Sequence, residues 1–166
     1  MILVTSFHAN SWDTYAKRFM ESFKKFWPKS VKLYAFYHDG DIPEDAPTAS
    51  NISYRKLEHQ EMLKFKESFK DKNGGSPYNY RLDAIKFCHK VFAISDCAFG
   101  MVESKENPGW LVWLDADTII TKPLSRGNLL ESLPSETDLV HLGRKNFTYS
   151  ETSFIGLNLE SQVPVD

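Results

Sequence analysis

The sequence has few cysteines, no long hydrophobic segment and no excess of one charge sign. Of 166 residues two are cysteine, and the longest uninterrupted apolar runs, such as Trp110–Leu114, have five residues. A helix that spans a bilayer needs roughly 20. Lys and Arg total 20 against 22 Asp and Glu, so the net charge of −2 provides no global field for a nucleic-acid backbone or an anionic membrane. We therefore expect no transmembrane segment and no nucleic-acid partner.

The cysteines and the N-terminus favour a reducing compartment. Cys88 and Cys97 lie within one predicted helix, where their spacing corresponds to about 13 Å along the axis, too far for a disulfide. The chain begins Met1-Ile-Leu-Val4, without the basic segment of a secretory signal. We expect free cysteines in a cytoplasmic protein.

Several nucleotide-binding and metal-binding signatures are missing. The chain contains neither a Walker A sequence nor a GxGxxG fingerprint, which excludes P-loop ATPases and Rossmann dehydrogenases. The five histidines, at positions 8, 38, 59, 89 and 141, have no metal-ligand spacing. Each is interpreted as a surface or packed residue.

What is present is an alternation of strand and helix patterns. Apolar runs predict strands at 2–7, 31–37, 52–55, 110–114, 139–142 and 153–159. Three-and-four spacing predicts helices at 12–27, with Asn10 or Ser11 as cap, and at 57–70, 79–99 and 129–133. This order predicts one α/β domain over 1–166, an open and mostly parallel, mixed sheet with helices on both faces. Ligands of such sheets bind at the carboxyl ends of strands.

Two Asp-x-Asp sequences occur, and their contexts differ. Asp39-Gly-Asp41 lies in a turn rich in Gly and Pro, where Asp commonly bonds to local backbone. Asp115-Ala-Asp117 directly follows the most apolar strand. Two carboxylates 4 to 5 Å apart there would repel by roughly 3 to 4 kcal/mol unless a cation or a shared proton relieves them. In an extended backbone both would face one side and reach one ion, Mg²⁺ or Mn²⁺. The alternative is that Asp115 caps a turn and Asp117 is solvated.

The segment 112–124, Val-Trp-Leu-Asp-Ala-Asp-Thr-Ile-Ile-Thr-Lys-Pro-Leu, resembles the DxD segment of GT-A-fold glycosyltransferases, which use nucleotide-diphosphate sugars. The segments 4–8, 37–39, 80–86 and 151–158 resemble further parts of that family in the same order. The resemblance covers roughly residues 1–159 and implies a GT-A, Rossmann-like fold. It also implies a bound Mn²⁺ or Mg²⁺ that neutralises the leaving diphosphate.

The resemblance implies a set of site residues. Asp115 and Asp117 would hold the metal, with Asp115 also reaching the ribose or donor sugar and Asp117 acting in catalysis as the firmer ligand. Glu151 would lie near the acceptor or the reacting sugar, as a base or a hydrogen-bond acceptor. Nucleotide and donor contacts would come from Thr5, Ser6, Phe7, Asp39, Arg81, Lys86 and Lys90. Lys122, Arg144 and Lys145 are later candidates of the same kind. Lys86 also lies within one turn of Asp83 and could pair with it instead.

The acceptor, whether glycan, lipid or protein, is not identified by the sequence. Family members commonly continue with acceptor-binding elements and a third metal ligand, often His, whereas this chain has seven residues after Leu159. We therefore expect either a truncated chain or a partner chain that completes the acceptor site. Two other functions remain open: a non-catalytic nucleotide-sugar binding module, and a phosphatase of the haloacid-dehalogenase type. The latter would use Asp115 as nucleophile and Asp117 as acid/base, although its downstream acidic pair is missing.

Overall fold

The computed structural model describes residues 1–71, 73–104, 109–143 and 151–160. Within them lie six strands and four α-helices. The strands are β1 (Ile2–His8), β2 (Lys32–His38), β3 (Ile52–Lys56), β4 (Trp110–Leu114), β5 (Leu139–Leu142) and β6 (Glu151–Asn158). The helices are α1 (Lys17–Phe26), α2 (Gln60–Phe69), α3 (Ala84–Ser104) and α4 (Arg126–Glu131).

The strands form one mixed sheet in the order β3-β2-β1-β4-β6-β5. The first four of these strands run parallel, whereas β6 is antiparallel to both β4 and β5. Every residue of β4 is buried, as expected for a continuous apolar run covered on both faces. The predicted α/β class and the open, mostly parallel sheet are confirmed.

Helices cover both faces because alternate residues of each strand point to opposite sides. On one face, Leu3 of β1 belongs to a cluster with Phe19 and Phe23 of α1. On the other, Val4 belongs to a second cluster with Met62 of α2 and Ala93 of α3. Full burial of an aromatic side chain such as Phe23 stabilises the fold by about 1.5–3 kcal/mol. The two clusters fix the sheet between its helices.

The first helix begins later than its apolar pattern predicts. Ala9–Ser11 form a 3₁₀ turn, followed by a π-helical turn over Trp12–Ala16, and α1 proper begins at Lys17. The predicted caps are wrong, because His8 Nδ1 accepts from the N–H of Asn10 and Ser11 makes no capping bond. The helix ends before Pro28, with Trp27 extended, since a residue that precedes proline avoids the helical region.

The third helix also begins later than predicted, and its cysteines are free as expected. Asn79 caps a short 3₁₀ turn, and Asp83 accepts from the backbone N–H of Lys86 at 2.8 Å, so α3 begins at Ala84. Cys88 and Cys97 are buried and unpaired. Burial raises the pKa of Cys97 to about 12. In the described parts of the chain, no helix combines the length and apolarity required to cross a membrane.

Candidate functional site

Three neighbouring parallel strands end at one cavity of about 670 Å³. Its walls come from the ends of β1, β2 and β4 and from the N-terminal half of α3, the sheet edge where open α/β folds bind ligands. The predicted site residues that line it are Ser6, Phe7, Asp39, Lys86, Lys90, Asp115 and Asp117. Lining residues that sequence reasoning missed include His8, Tyr15, His38, Lys66, Asn73, Asp83, Phe87, His89 and Trp113.

The Asp115–Asp117 segment forms a turn, whereas an extended backbone was expected. The N–H of Asp115 still pairs with Ser153 O of β6 at 2.9 Å, and the chain then turns so that the N–H of Thr118 donates to Asp115 O at 3.0 Å. Both carboxylates nevertheless line the same cavity, Asp115 partly buried and Asp117 exposed.

Asp115 is held by two donors at one carboxylate oxygen. Its Oδ1 lies 2.8 Å from Lys90 Nζ and accepts from Trp113 Nε1 at 2.6 Å. Lys90 also donates to Thr152 O at 2.7 Å. The Lys90 ammonium thus offsets part of the charge repulsion that the sequence predicts between Asp115 and Asp117. In the described residues, Asp117 has no hydrogen-bond or ion-pair partner.

The two carboxylates fit a divalent ion in their chemistry. Carboxylate oxygens are the ligands that Mg²⁺ and Mn²⁺ prefer, and Mg²⁺ typically takes only one or two of them while keeping water and substrate phosphate as its other ligands. Asp117 is exposed to the cavity and Asp115 retains a second oxygen. The pair therefore suits an ion that is shared with a phosphate group.

A second cluster of polar groups joins the ends of β1 and β2. Register pairs His8 with His38, and Asp39 Oδ2 lies 3.4 Å from His8 Nε2 and 2.8 Å from His38 Nδ1. The three ligand atoms lie within 4.8 Å of one another, a spacing that a metal would need. However, the N–H of Asn10 donates to His8 Nδ1 at 3.2 Å, which places the ring proton on Nε2. A ligating Nε2 needs the opposite tautomer, so the cluster is better described as a hydrogen-bonded support for Asp39.

The Asp39 carboxylate is ionised and its loop is tightly packed. The hydrogen bond from His38 lowers the pKa of Asp39. Asp39 has a left-handed φ of 55°, and Gly40 follows with φ of 144°. A Cβ on Gly40 would lie 3.1 Å from Ala9 Cβ and 3.1 Å from Asn10 Oδ1. The turn after β2 therefore packs directly on the turn after β1.

His89 of α3 completes this end of the cavity. Its ring stacks on that of His38, and burial together with His38 lowers the pKa of His89 to about 4. Its Nδ1 faces Lys86 O at 3.4 Å, while its Nε2 is buried without a partner in the described residues. The available sequence signal was that the predicted strands 2–7 and 31–37 are each followed directly by a histidine, His8 and His38.

Three predicted site residues lie outside the cavity lining. Thr5 is fully buried, and its hydroxyl donates to Leu114 O at 2.6 Å, which ties β1 to β4. Arg81 is exposed, with its Nε donating to Tyr80 Oη. Glu151 is the first residue of β6 and accepts from the N–H of Ser153 at 3.2 Å. Lys122 is exposed, and the candidates Arg144 and Lys145 lie outside the described residues.

Lys86 does not simply neutralise Asp83. The Asp83 carboxylate accepts from the backbone N–H of Lys86, from Tyr78 Oη at 2.7 Å and from Asn73 Nδ2. Burial opposes ionisation, and these hydrogen bonds outweigh it and lower the pKa of Asp83. Asp83 is thus a helix cap that organises the loop before α3, and the Lys86 side chain lines the cavity.

Comparison with known proteins supports the fold. No family model and no curated protein matches the sequence. The apo-form glycosyltransferase GlyE of Streptococcus pneumoniae TIGR4 aligns with 95% of this chain at a TM-score of 0.53 and 13% identity. The galactosyltransferase LgtC, in complex with donor and acceptor sugar analogs, aligns with 96% at a TM-score of 0.50 and 14% identity. An active-site mutant of LgtC gives a TM-score of 0.53 at 12% identity.

The aligned region is a part of each neighbour. This chain spans 33% of the GlyE chain and 58% of the LgtC chain. At these identities the likeness concerns the fold. With its sheet order and its cavity at the carboxyl ends of β1, β2 and β4, the chain has a GT-A-like glycosyltransferase fold.

Proposed function

We propose that this chain is the donor-binding part of a metal-dependent glycosyltransferase that uses a nucleotide-diphosphate sugar. The observation that carries the proposal is the position of Asp115 and Asp117. They follow the fully buried strand β4 and line the cavity at which β1 and β2 also end. The fold likeness to GlyE and LgtC supports the same reading.

Asp117 and Asp115 would hold Mn²⁺ or Mg²⁺, with Asp117 as the firmer ligand. When bound, the ion would supply positive charge to the diphosphate that leaves the sugar. Asp117 is exposed to the cavity and carries no ion pair among the described residues. It is therefore the carboxylate with most freedom to bind a cation, and Asp115 also reaches toward the ribose or donor sugar.

The nucleoside would bind between the turns that follow β1 and β2. Ser6 and Phe7 line this end of the cavity, and Asp39 offers an ionised carboxylate that two histidines hold in place. Such a carboxylate accepts hydrogen bonds from N–H groups of a base or hydroxyls of a ribose. Thr5 contributes indirectly, because its buried hydroxyl fixes the end of β1 against β4.

Positive charge near the diphosphate would come from α3. Lys86 and Lys90 both line the cavity, one helical turn apart. A diphosphate carries several negative charges, so two ammonium groups and a divalent ion would offset them in a partly desolvated cleft. Arg81, which precedes α3 and lies outside the lining, would contact the donor from the rim.

Glu151 would act on the acceptor side, as a base or as a hydrogen-bond acceptor. Since β6 runs antiparallel to β4, its first residues lie beside the last residues of β4, where Asp115 pairs with Ser153. Glu151 lies two positions before Ser153, at the same end of the sheet as the acidic turn. The acceptor is a glycan, lipid or protein, and a partner chain or further residues would complete its site.

A calorimetric titration tests this proposal. Nucleotide-diphosphate sugars that differ in base and sugar are titrated into the wild-type chain with Mn²⁺ and with chelator, and into Asp117→Ala. We expect binding that Mn²⁺ strengthens at least tenfold and that Asp117→Ala loses. Asp41→Ala, from the other Asp-x-Asp sequence, is the matched control and should bind like the wild type.

The same titration tests the metal site, and release of nucleoside diphosphate separates the proposal from a non-catalytic alternative. Equal binding in every condition, or loss of binding in both variants, would contradict a metal site at Asp117. A non-catalytic binding module is the second candidate, because Glu151, the proposed base, lies outside the cavity lining. Such a module would bind in the same metal-dependent way. It would release no free nucleoside diphosphate from the donor on prolonged incubation.

A further inference from the structure

The side chain of Lys90 joins three structural elements at the acidic turn. It rises from α3, its Nζ lies 2.8 Å from Asp115 Oδ1, and it donates to Thr152 O at 2.7 Å and to Thr152 Oγ1 at 3.3 Å. Only 18% of the side chain is exposed. The ammonium therefore occupies a defined position between α3, the end of β4 and the start of β6.

The carboxylate oxygen of Asp115 that contacts Lys90 also accepts a hydrogen bond from a second donor, Trp113. Trp113 Nε1 donates to Asp115 Oδ1 at 2.6 Å, and the Lys90 ammonium lies 5.2 Å from the centre of the Trp113 ring. A cation over an aromatic face is itself attracted to the ring. Asp115 is thus neutralised by a side chain of its own fold.

We propose that Lys90 is a resident counter-cation that competes with a divalent ion for the Asp115 carboxylate, so that this lysine lowers the metal affinity of the Asp115–Asp117 pair. This inference rests on the proposed metal site and adds a residue that controls its affinity. A lysine ammonium and a divalent cation on one carboxylate repel each other at distances of a few ångströms, and a partly buried site screens that repulsion poorly.

Displacement would not release Lys90 from the cavity rim. Its bonds to Thr152 involve a backbone carbonyl and a hydroxyl, which do not bind the metal in this proposal. After the ion takes Asp115, the ammonium keeps these partners and faces the cavity that the diphosphate would enter. Metal binding and the availability of a positive charge for the donor are then linked through one side chain.

Titration with Mn²⁺ alone tests this inference, with free Mn²⁺ measured by electron paramagnetic resonance. Lys90→Gln keeps a hydrogen-bond donor and removes the charge, so we expect its Kd for Mn²⁺ to fall about tenfold relative to the wild type. Lys90→Arg keeps the charge and should stay within threefold of the wild type. Lys86→Met removes the same charge from the same cavity wall, one turn away, and should lower the Kd by threefold at most.

The outcomes separate this inference from the proposed function. Binding that is lost in Asp117→Ala and unchanged or weakened in Lys90→Gln overturns the role of Lys90 alone. An equal gain in Lys90→Gln and Lys86→Met overturns it too, because general charge then explains the effect. Absence of Mn²⁺ binding in every variant, each folded by circular dichroism, contradicts the metal site itself. If Lys90→Gln does not fold, Lys90→Met replaces it in the same comparison.

Discussion

The imidazole rings of His38 and His89 stack with centroids 3.6 Å apart and an interplanar angle of 5°. Both residues are only 8% exposed. Burial lowers the pKa of His38, and burial together with His38 lowers the pKa of His89 to about 4. His8, Asp39 and Lys66 face the same pair, and the ammonium of Lys66 adds to the lowering in both rings. The stack is therefore a neutral pair near pH 7.

Acid should destabilise the chain through this pair. An unfolded histidine titrates near 6.5, so the unfolded chain takes up a proton on His89 at higher pH than the folded chain does. We expect the free energy of unfolding to fall by about 1–2 kcal/mol between pH 6.5 and pH 4 after allowance for solvent screening. Urea denaturation at several pH values measures it.

A stacking variant isolates the contribution of His89 to that pH dependence. His89→Phe keeps an aromatic ring and removes the titration, so the loss of stability between pH 6.5 and pH 4 should become smaller. His141→Gln, at an exposed position of β5, should keep the wild-type dependence. If the free energy of unfolding fell equally between pH 6.5 and pH 4 in wild type and His89→Phe, His89 would not be the source of this pH dependence.

Truncation of Phe23 should destabilise the α1 face of the sheet. The ring is fully buried and stacks on Trp27 with centroids 5.5 Å apart. Phe23→Ala should therefore lower the free energy of unfolding by about 3–5 kcal/mol. Lys24→Ala, at the next and exposed position, should change it by about 0.5 kcal/mol or less. If urea denaturation showed similar losses of unfolding free energy for both substitutions, Phe23 would not be buried in this core.

A methyl group on Gly156 should strain the β4–β6 pair. A Cβ at this position would lie 2.9 Å from Leu133 Cδ2 and 3.2 Å from the Trp110 ring. We expect Gly156→Ala to cost about 1–3 kcal/mol of stability through overpacking. Gly143→Ala is the control, because no atom of the described residues lies within 4 Å of its added Cβ. Thermal denaturation of both variants should show a lower Tm for Gly156→Ala only.

Thr5→Val distinguishes a strand-linking role of Thr5 from direct donor binding. Valine has nearly the same shape but cannot donate to Leu114 O, so stability should fall by about 1–2 kcal/mol. Thr5→Ser keeps the hydroxyl and loses only a methyl group. Under the strand-linking role, the Kd of a nucleotide-diphosphate sugar, measured by calorimetry, stays within about threefold of the wild type in both variants. A large loss of donor affinity in folded Thr5→Val would favour direct contact instead.

Local sequence patterns were sufficient to predict the class of the sheet and the position of the acidic pair at its edge, but not the turn that this pair forms. The apolar run of Trp110–Leu114 predicts a strand buried on both faces, and the aspartates directly after it must then lie at a sheet edge. Helix starts were predicted less well, because side chains that cap short turns, Asn79 and Asp83 among them, delay α3 until Ala84.

Contacts between distant residues were not predicted. Lys90 and Asp115 meet because α3 packs over β4. No local sequence pattern encodes the distance and angle of that packing. The pairing of His8 with His38 depends on strand register, and a shift by one residue would turn one of them to the opposite face. Spacing along the chain therefore suggested five unrelated histidines, whereas three of them lie on one cavity wall.

The turns after β1 and β2 are joined by the contact of Asp39 with His8 and packed together by the close approach of Gly40 to Ala9 and Asn10, so each turn restrains the other. A bulky group pressed against one turn should push on the other, because even an added Cβ on Gly40 would lie only 3.1 Å from Ala9 Cβ and from Asn10 Oδ1. This end of the cleft should therefore be rigid, and it should select ligands by their size. A change in ligand preference would then require substitution of side chains on this wall.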